Sequence, residues 1–252
     1  MLDFFFTKRK PVAAAGQSTF FGAIGTDIHS HLIPGIDDGS PDLLTSISMI
    51  KQMHAMGFDR IITTPHVSEV YKNDHDSIAY GLARVKQLVK FEGLKVEVLA
   101  AAEYMINDLF EQAILEGGAL LALPGRHVLV EMPHVSEPIN VRRVLTLLNE
   151  RGYVPILAHP ERYRFYNRIY FLESIKDCGC LFQVNALSLL GYYGGSVSDV
   201  AWKLLDRKLI DFVGTDFHHE NHIELFKKKM TPACADALGT YPFKNRELGL
   251  PR

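Results

Sequence analysis

The chain has 252 residues, 47% hydrophobic and 22% charged, with a formal net charge of -2. That length holds one α/β barrel or two smaller domains, and the composition excludes extended disorder. Lysine and arginine are scattered rather than gathered in a stripe, which excludes a sequence-independent hold on nucleic acid.

Residues 1–24 read as a flexible N-terminal leader ahead of a single domain over 25–252. The opening "MLDFFFTKRKP" puts its apolar run before its basic residues, the reverse of a secretory signal. Phe4, Phe5 and Phe6 allow a transient membrane-proximal or partner contact. No run of about 18 apolar residues follows, so no transmembrane segment is expected. Cys178, Cys180 and Cys234 cannot all pair and form no C-x-x-C, which fits a reducing, cytoplasmic setting.

From Thr26 onward short β-rich runs alternate with longer amphipathic ones, the signature of repeated βα units around a parallel sheet. The strand segments are "TDIHSH", "DRIITTPH", "KVEVLAAAEY", "HVLVEM", "YVPILAHP", "CLFQVN" and "DFVGTDFH". Between the first two, Leu43, Leu44, Ile47 and Ile50 predict one apolar helix face, introduced by Ser40 and Pro41 at the cap and first turn. Further helices are expected over 74–92, 108–117, 138–151, 167–178 and 197–208. Gly93, Gly117, Gly152 and Gly179 stand where helices should stop.

The polar residues of these segments gather at one end. His29 and His31 leave the first strand, His66 ends the second, Glu103 the third, Glu131 the fourth, His159 the fifth, and Asp216 with His218 the last. In a parallel barrel those C-terminal ends converge on one mouth, where active sites lie. His29 and His31, two apart on a strand, face the same side and can grip one ion, and Asp216 and His218 repeat the spacing. Carboxylates in apolar runs such as "VLAAAEY" and "VLVEMPH" are costly unless paired or bound to a cation. Mixed nitrogen and oxygen ligands suit Mn, Fe or Zn better than Ca or Mg.

The motifs "DIHSHLIPGIDDG", "TTPH", "AHPERY" and "GTDFH", in that order between Thr26 and His218, resemble those of the polymerase and histidinol phosphatase (PHP) family. Within it, they are most similar to the bacterial metal-dependent protein-tyrosine phosphatases of capsule and exopolysaccharide synthesis. The resemblance implies a distorted seven-stranded (β/α) TIM-like barrel holding two or three divalent transition-metal ions, manganese first, iron or zinc as alternatives. It implies that His29, His31, Glu103 and Asp216 hold one ion, with Glu103 bridging to a second held by Glu131 and His159. Asp38, His66 and His218 would hold the third. Asp37 then belongs to the turn or supports a ligand. Arg162 resembles the family's phosphate-gripping arginine. A second arginine usually follows the last motif, whereas here "HHENH" offers His219 and His222.

Such a cluster lowers the pKa of bound water, supplies a hydroxide for direct attack on phosphorus and neutralises phosphoryl oxygens. A phenol leaves with a pKa of about 10, so acid assistance is of small importance, and His218 or His219 is placed to supply it. A cysteine route would need C-x5-R, but Val184, Ala186 and Thr240 stand six residues beyond the three cysteines. The expected function is hydrolysis of protein phosphotyrosine, with the tyrosine-rich tail of a polysaccharide-pathway kinase as partner. A small-molecule phosphatase of the histidinol-phosphate type and a nonenzymatic metal-bearing regulator are the alternatives.

Overall fold

The computed structural model describes residues 20–165 and 169–248. Phe4, Phe5 and Phe6 and most of the expected leader lie outside them, as do the first two residues of the helix expected at 167–178. The last five leader positions form α1 (Phe20–Ile24), where the Phe21 ring lies 4.3 Å from Phe58 and 4.7 Å from Phe226 between centroids. Those five residues therefore belong to the folded body.

Nine strands, all paired in parallel, form two sheets among the described residues. The chain order is β1 (Thr26–Asp27), β2 (Arg60–Thr63), β3 (His66–Val67), β4 (Glu97–Ala100), β5 (Glu103–Met105), β6 (His127–Glu131), β7 (Val154–Ala158), β8 (Leu181–Asn185) and β9 (Phe212–Gly214). One sheet has the order β1-β2-β4 and the other β3-β5-β6-β7-β8-β9.

Nine strands in two sheets replace the seven expected, because two of the expected strands break. The second breaks at Thr64 and Pro65, where proline has no N–H for a ladder. The third breaks at Ala102, whose N–H turns to the Leu121 carbonyl at 3.1 Å, whereas the preceding Ala101 still donates to Thr63 at 2.9 Å. Each broken segment begins in one sheet and ends in the other. The outer edges also meet: Ser30 and Phe217 form a parallel bridge, His31 N–H donates to the Phe217 carbonyl at 3.0 Å and Asp216 N–H to the His29 carbonyl at 2.7 Å.

The helices are α2 (Leu43–Ala55), α3 (His75–Phe91), α4 (Asp108–Glu116), α5 (Val141–Glu150), α6 (Ile169–Lys176), α7 (Ala186–Leu189), α8 (Gly195–Asp206), α9 (Glu220–Lys229) and α10 (Pro232–Gly239). Gly93, Gly117, Gly152 and Gly179 all adopt left-handed φ, between 66° and 92°, at helix ends. The start of α2 differs from expectation. Asp42, not Ser40, is the cap, accepting from Thr45 N–H at 2.8 Å, a contact worth about 1 kcal/mol. Ser40 is buried and donates instead to the Asp42 carbonyl, and Leu44 faces solvent while Ile47, Met49, Ile50 and Met53 face the core.

Most apolar side chains pack between strands and helices in one large cluster. A second, smaller cluster takes Ile28, Ile62, Ala101, Leu129, Ile156 and Phe212 from successive strand segments. It forms an apolar floor, and the ionisable residues stand farther along the same segments, towards their C-terminal ends.

Candidate metal centre and phosphate site

Two histidines, a carboxylate from the middle of the array and one from its last segment come together above that floor. His29, His31, Glu103 and Asp216 are all buried. The Nε2 atoms of His29 and His31 lie 3.3 Å apart. Glu103 Oε2 is 3.2 Å from the first and 3.6 Å from the second, and Asp216 Oδ1 is 3.3 and 3.5 Å away. Such spacings suit neighbouring ligand atoms that each sit about 2.1 Å from a shared cation.

The protonation of these rings follows from their outer contacts. Asp216 Oδ2 only accepts, so the Asn185 amide donates to it, at 2.6 Å. That turns Asn185 Oδ1 towards the Gln183 amide, which donates at 2.9 Å. Gln183 Oε1 is then left to accept from His29 Nδ1 at 2.7 Å. His29 therefore carries its proton on Nδ1 and aims the Nε2 lone pair at the cluster. Asp37 does the same for His31, its Oδ2 lying 2.9 Å from Nδ1 while also accepting from the His66 backbone N–H at 3.1 Å. Two lone pairs and two carboxylate oxygens thus face one another in a buried space, an arrangement that repels itself unless a cation or added protons sit there. Among the described residues neither buried Glu103 oxygen has a hydrogen-bond donor in good geometry. In the metal-free protein, burial opposes a charged His29, yet Glu103 and Asp216 outweigh it and push its pKa up to about 10. Burial would raise the carboxyls of Glu103 and Asp216, but His29 and His66 hold Glu103, and His29 and His218 hold Asp216, well below the usual carboxylate range. The residues fit a metal cluster.

The remaining ligand candidates surround this centre. His66 Nδ1 lies 3.1 Å from Glu103 Oε2 and 2.9 Å from Glu131 Oε1, and its Nε2 is 3.4 Å from Asp38 Oδ1. Asp38 is also 3.6 Å from His218 Nε2, and His218 stacks on His31 with centroids 3.9 Å apart. His159 Nε2 approaches the other Glu103 oxygen at 3.2 Å. Glu131 thus stands beside His66, while His159 groups with His29 and Asp216, and His218 with His31, Asp38 and His66. The hydrogen bond with His66 draws the Asp38 pKa down to about 2. Burial pushes His159 down to about 3 and His218, further discouraged by His31, to about 4.

Two ligand candidates sit on strained backbone. His159 and Asp216 have φ of 36° and 52°, two of the four non-glycine residues with positive φ among those described. Asp216 and His218 therefore do not repeat the strand geometry expected of them; a left-handed residue turns Asp216 inward. Glycine is required at position 214 because a Cβ there would meet His29 Cβ at 2.7 Å and the Gln183 amide at 2.8 Å.

A cavity of about 450 Å³ opens over the cluster, lined by Asp38, His66, Glu131, His159, Asp216 and His218 below and by Tyr71, His134, Arg162, Tyr192, Tyr193 and His219 around them. Arg162 donates from Nη1 to Asp216 Oδ2 at 3.1 Å and lies 4.3 Å above the Tyr193 ring. Among the described residues it is the only arginine lining this cavity. His219 stands exposed at the rim as the cap of α9, in none of the ligand groups. His222 accepts from the His218 backbone N–H at 3.3 Å through Nδ1, so its Nε2 donates to Tyr192 Oη at 3.1 Å. It holds the loop and a wall tyrosine. Gln183, Asn185, His134 and Tyr193 were not singled out from the sequence, although "CLFQVN" does place two amides two residues apart in an apolar strand.

The sequence model of the capsular polysaccharide synthesis family CpsB/CapC matches residues 25–236. The chain belongs to the CpsB/CapC family. It is 31% identical over 196 residues to the tyrosine-protein phosphatase YwqE of Bacillus subtilis, covering 77% of each chain. It is 25% identical over 202 residues to the tyrosine-protein phosphatase CpsB of Streptococcus pneumoniae, covering 77% of this chain and 82% of that one. A solved structure from a study of those two proteins, described as metal-dependent tyrosine phosphatases, superposes with a TM-score of 0.71 at 26% identity, over 84% of this chain and 90% of the other. Family membership agrees with the resemblance read from the four motifs. Among the described residues no helix is long and apolar enough to cross a membrane.

Proposed function

We propose that this chain is a metal-dependent phosphomonoesterase that hydrolyses phosphotyrosine on proteins, with the tail of a polysaccharide-pathway tyrosine kinase as its substrate. The observation that carries the reading is the amide chain from Asp216 through Asn185 and Gln183 to His29, which aims an imidazole lone pair at buried carboxylates. The tyrosine phosphatases among its relatives support the substrate class. The three free cysteines support a cytoplasmic location. The bridge between Ser30 and Phe217, together with the shared apolar floor, supports a distorted barrel over 25–252.

His29, His31, Asp38, His66, Glu103, Glu131, His159, Asp216 and His218 would hold two or three divalent ions, manganese being the expected metal. Bound there, the ions supply an activated water and neutralise phosphoryl oxygens. The protein's own part is positional. Arg162, held by Asp216 and Tyr193, offers the rest of its planar fork to the phosphate. Tyr71, Tyr192 and Tyr193 supply an aromatic wall for the phenyl ring. His218 donates from Nδ1 to the Asp216 carbonyl at 3.0 Å, which commits its Nε2 to accepting. His219, at the rim, is then the group placed to hold a proton for the leaving oxygen.

The test compares turnover of phosphotyrosine peptides, phosphoserine peptides and histidinol phosphate, with metal content measured on the same sample. Preference for phosphotyrosine is expected. Preference for histidinol phosphate would move the chain to the small-molecule class, and no turnover at full metal occupancy would make it a regulator.

A further inference from the structure

A second cavity of about 290 Å³ is lined by His134, Arg162, Arg164, Tyr193 and Val197. It shares His134, Arg162 and Tyr193 with the larger cavity, so the two are compartments of one groove. The two differ in charge. The larger has carboxylates throughout its floor, whereas the smaller has no carboxylate among its described lining residues.

Local backbone explains why both arginines reach it. Tyr163, between them, is extended at φ -82° and ψ 100°, and residues on either side of an extended residue point the same way. Tyr163 is itself anchored, its hydroxyl donating to the Ala158 carbonyl at 3.1 Å and accepting from Met132 N–H at 3.0 Å. Arg162 has one nitrogen on Asp216. Arg164 is exposed and makes no hydrogen bond or ion pair among the described residues. The opposite wall adds to the same field: α8 starts beside Val197 with no acidic residue in its first turn and no side-chain cap at Gly194.

We propose that this compartment is an anion subsite, which receives a second acidic group of a phosphopeptide, a carboxylate or phosphate close in sequence to the phosphotyrosine. The proposal rests on the reading of the larger cavity given above. Two guanidiniums, one with no ionic partner among the described residues, match a carboxylate or phosphate in both charge and fork geometry. The arrangement also gives the chain a second arginine close to the site, although on the strand-exit loop of β7 rather than after the last motif.

The experiment measures binding by fluorescence anisotropy to metal-loaded protein. The probes are labelled peptides carrying the nonhydrolysable phosphonomethylphenylalanine, flanked by alanines, by glutamates or by a phosphoserine. Wild type should bind the acidic peptides about five-fold or more tightly than the alanine peptide, a modest ratio because Arg164 is solvent-exposed. Arg164→Ala should bring the ratio close to one and Arg164→Glu should invert it, with melting temperatures confirming that both variants fold. A larger gain from phosphoserine than from glutamate identifies phosphate as the occupant, and equal gains identify any acidic side chain. A wild-type ratio near one, or a ratio that survives Arg164→Ala, overturns the proposal. If phenyl phosphate is not turned over while the ratio still collapses in Arg164→Ala, the proposed activity fails and the subsite stands.

Discussion

Replacing Gln183 with leucine tests the protonation of His29 without touching a ligand. Gln183 is fully buried, with Oε1 2.7 Å from His29 Nδ1 and its amide donating to Asn185 Oδ1 at 2.9 Å. Leucine fills nearly the same volume, so the loss is polar: the Nδ1 proton and the Asn185 oxygen are both left without a partner. Each orphan costs about 1–3 kcal/mol, and the apolar side chain recovers part of that, leaving the metal-free protein about 1–3 kcal/mol less stable. The larger signature is in metal binding. Without its outer acceptor the His29 ring is free to move its proton to Nε2 or to rotate, and affinity should fall about 10–100-fold, or about 1.4–2.7 kcal/mol. Metal retained after dialysis against graded chelator, measured by elemental analysis, reads the second effect. Urea unfolding in excess chelator reads the first. Wild-type metal affinity in Gln183→Leu would refute the tautomer argument, whatever happened to stability.

Glu103→Gln places an amide among His29, His31, His66 and His159 and should abolish turnover and lower metal content together; wild-type activity would refute its central position. Arg162→Lys and Arg162→Ala should keep their metal and lose about 1.5–3 kcal/mol in kcat/KM, a readout that unchanged kinetics would contradict. Gly214→Ala drives a methyl into His29 and Gln183, so chelator competition should show weakened metal binding with the same sign as Gln183→Leu. Asp211 accepts from Lys176 at 2.6 Å, Lys244 at 2.8 Å and the Phe182 N–H at 2.9 Å. Burial raises its pKa, but these donors outweigh it and hold the carboxyl below the ordinary 3.8. The unfolded chain then binds the proton more readily, so this stabilisation is present above about pH 4 and fades as pH falls through the lower folded value. Asp211→Asn should cost about 1–3 kcal/mol at pH 7 in urea unfolding and lose that acid-side dependence.

The sequence made the alternation legible because each strand segment is a short β-rich run bounded by turn residues, and all seven carry strand. It also made the mouth legible, since His29, His31, Glu103, Glu131, His159 and Asp216 interrupt apolar runs where no solvated face would place them. What it carried only in part was the break in two segments. His66 and Glu103 open new short strands instead of closing old ones: the first break follows from Pro65, readable in the sequence, but the second comes from the Ala102 N–H finding Leu121, a partner no local pattern announces. The inward turn of Asp216 was equally hidden, since left-handed backbone at a non-glycine residue is imposed by its neighbours. The amides of "CLFQVN" were readable in principle by their spacing. Their role emerges only when β8 is laid beside β7 and β9, which brings Gln183 under His29 and Asn185 under Asp216.

The left-handed φ of His159 and Asp216 sets thermostability against chemistry at two positions. Each costs about 1 kcal/mol or more, and glycine or asparagine would recover part of it. Selection on melting temperature alone would therefore act on the backbone at 159 and 216 and give no weight to the chemistry the two side chains carry. Any engineering of this scaffold has to hold both positions fixed and seek its stability elsewhere.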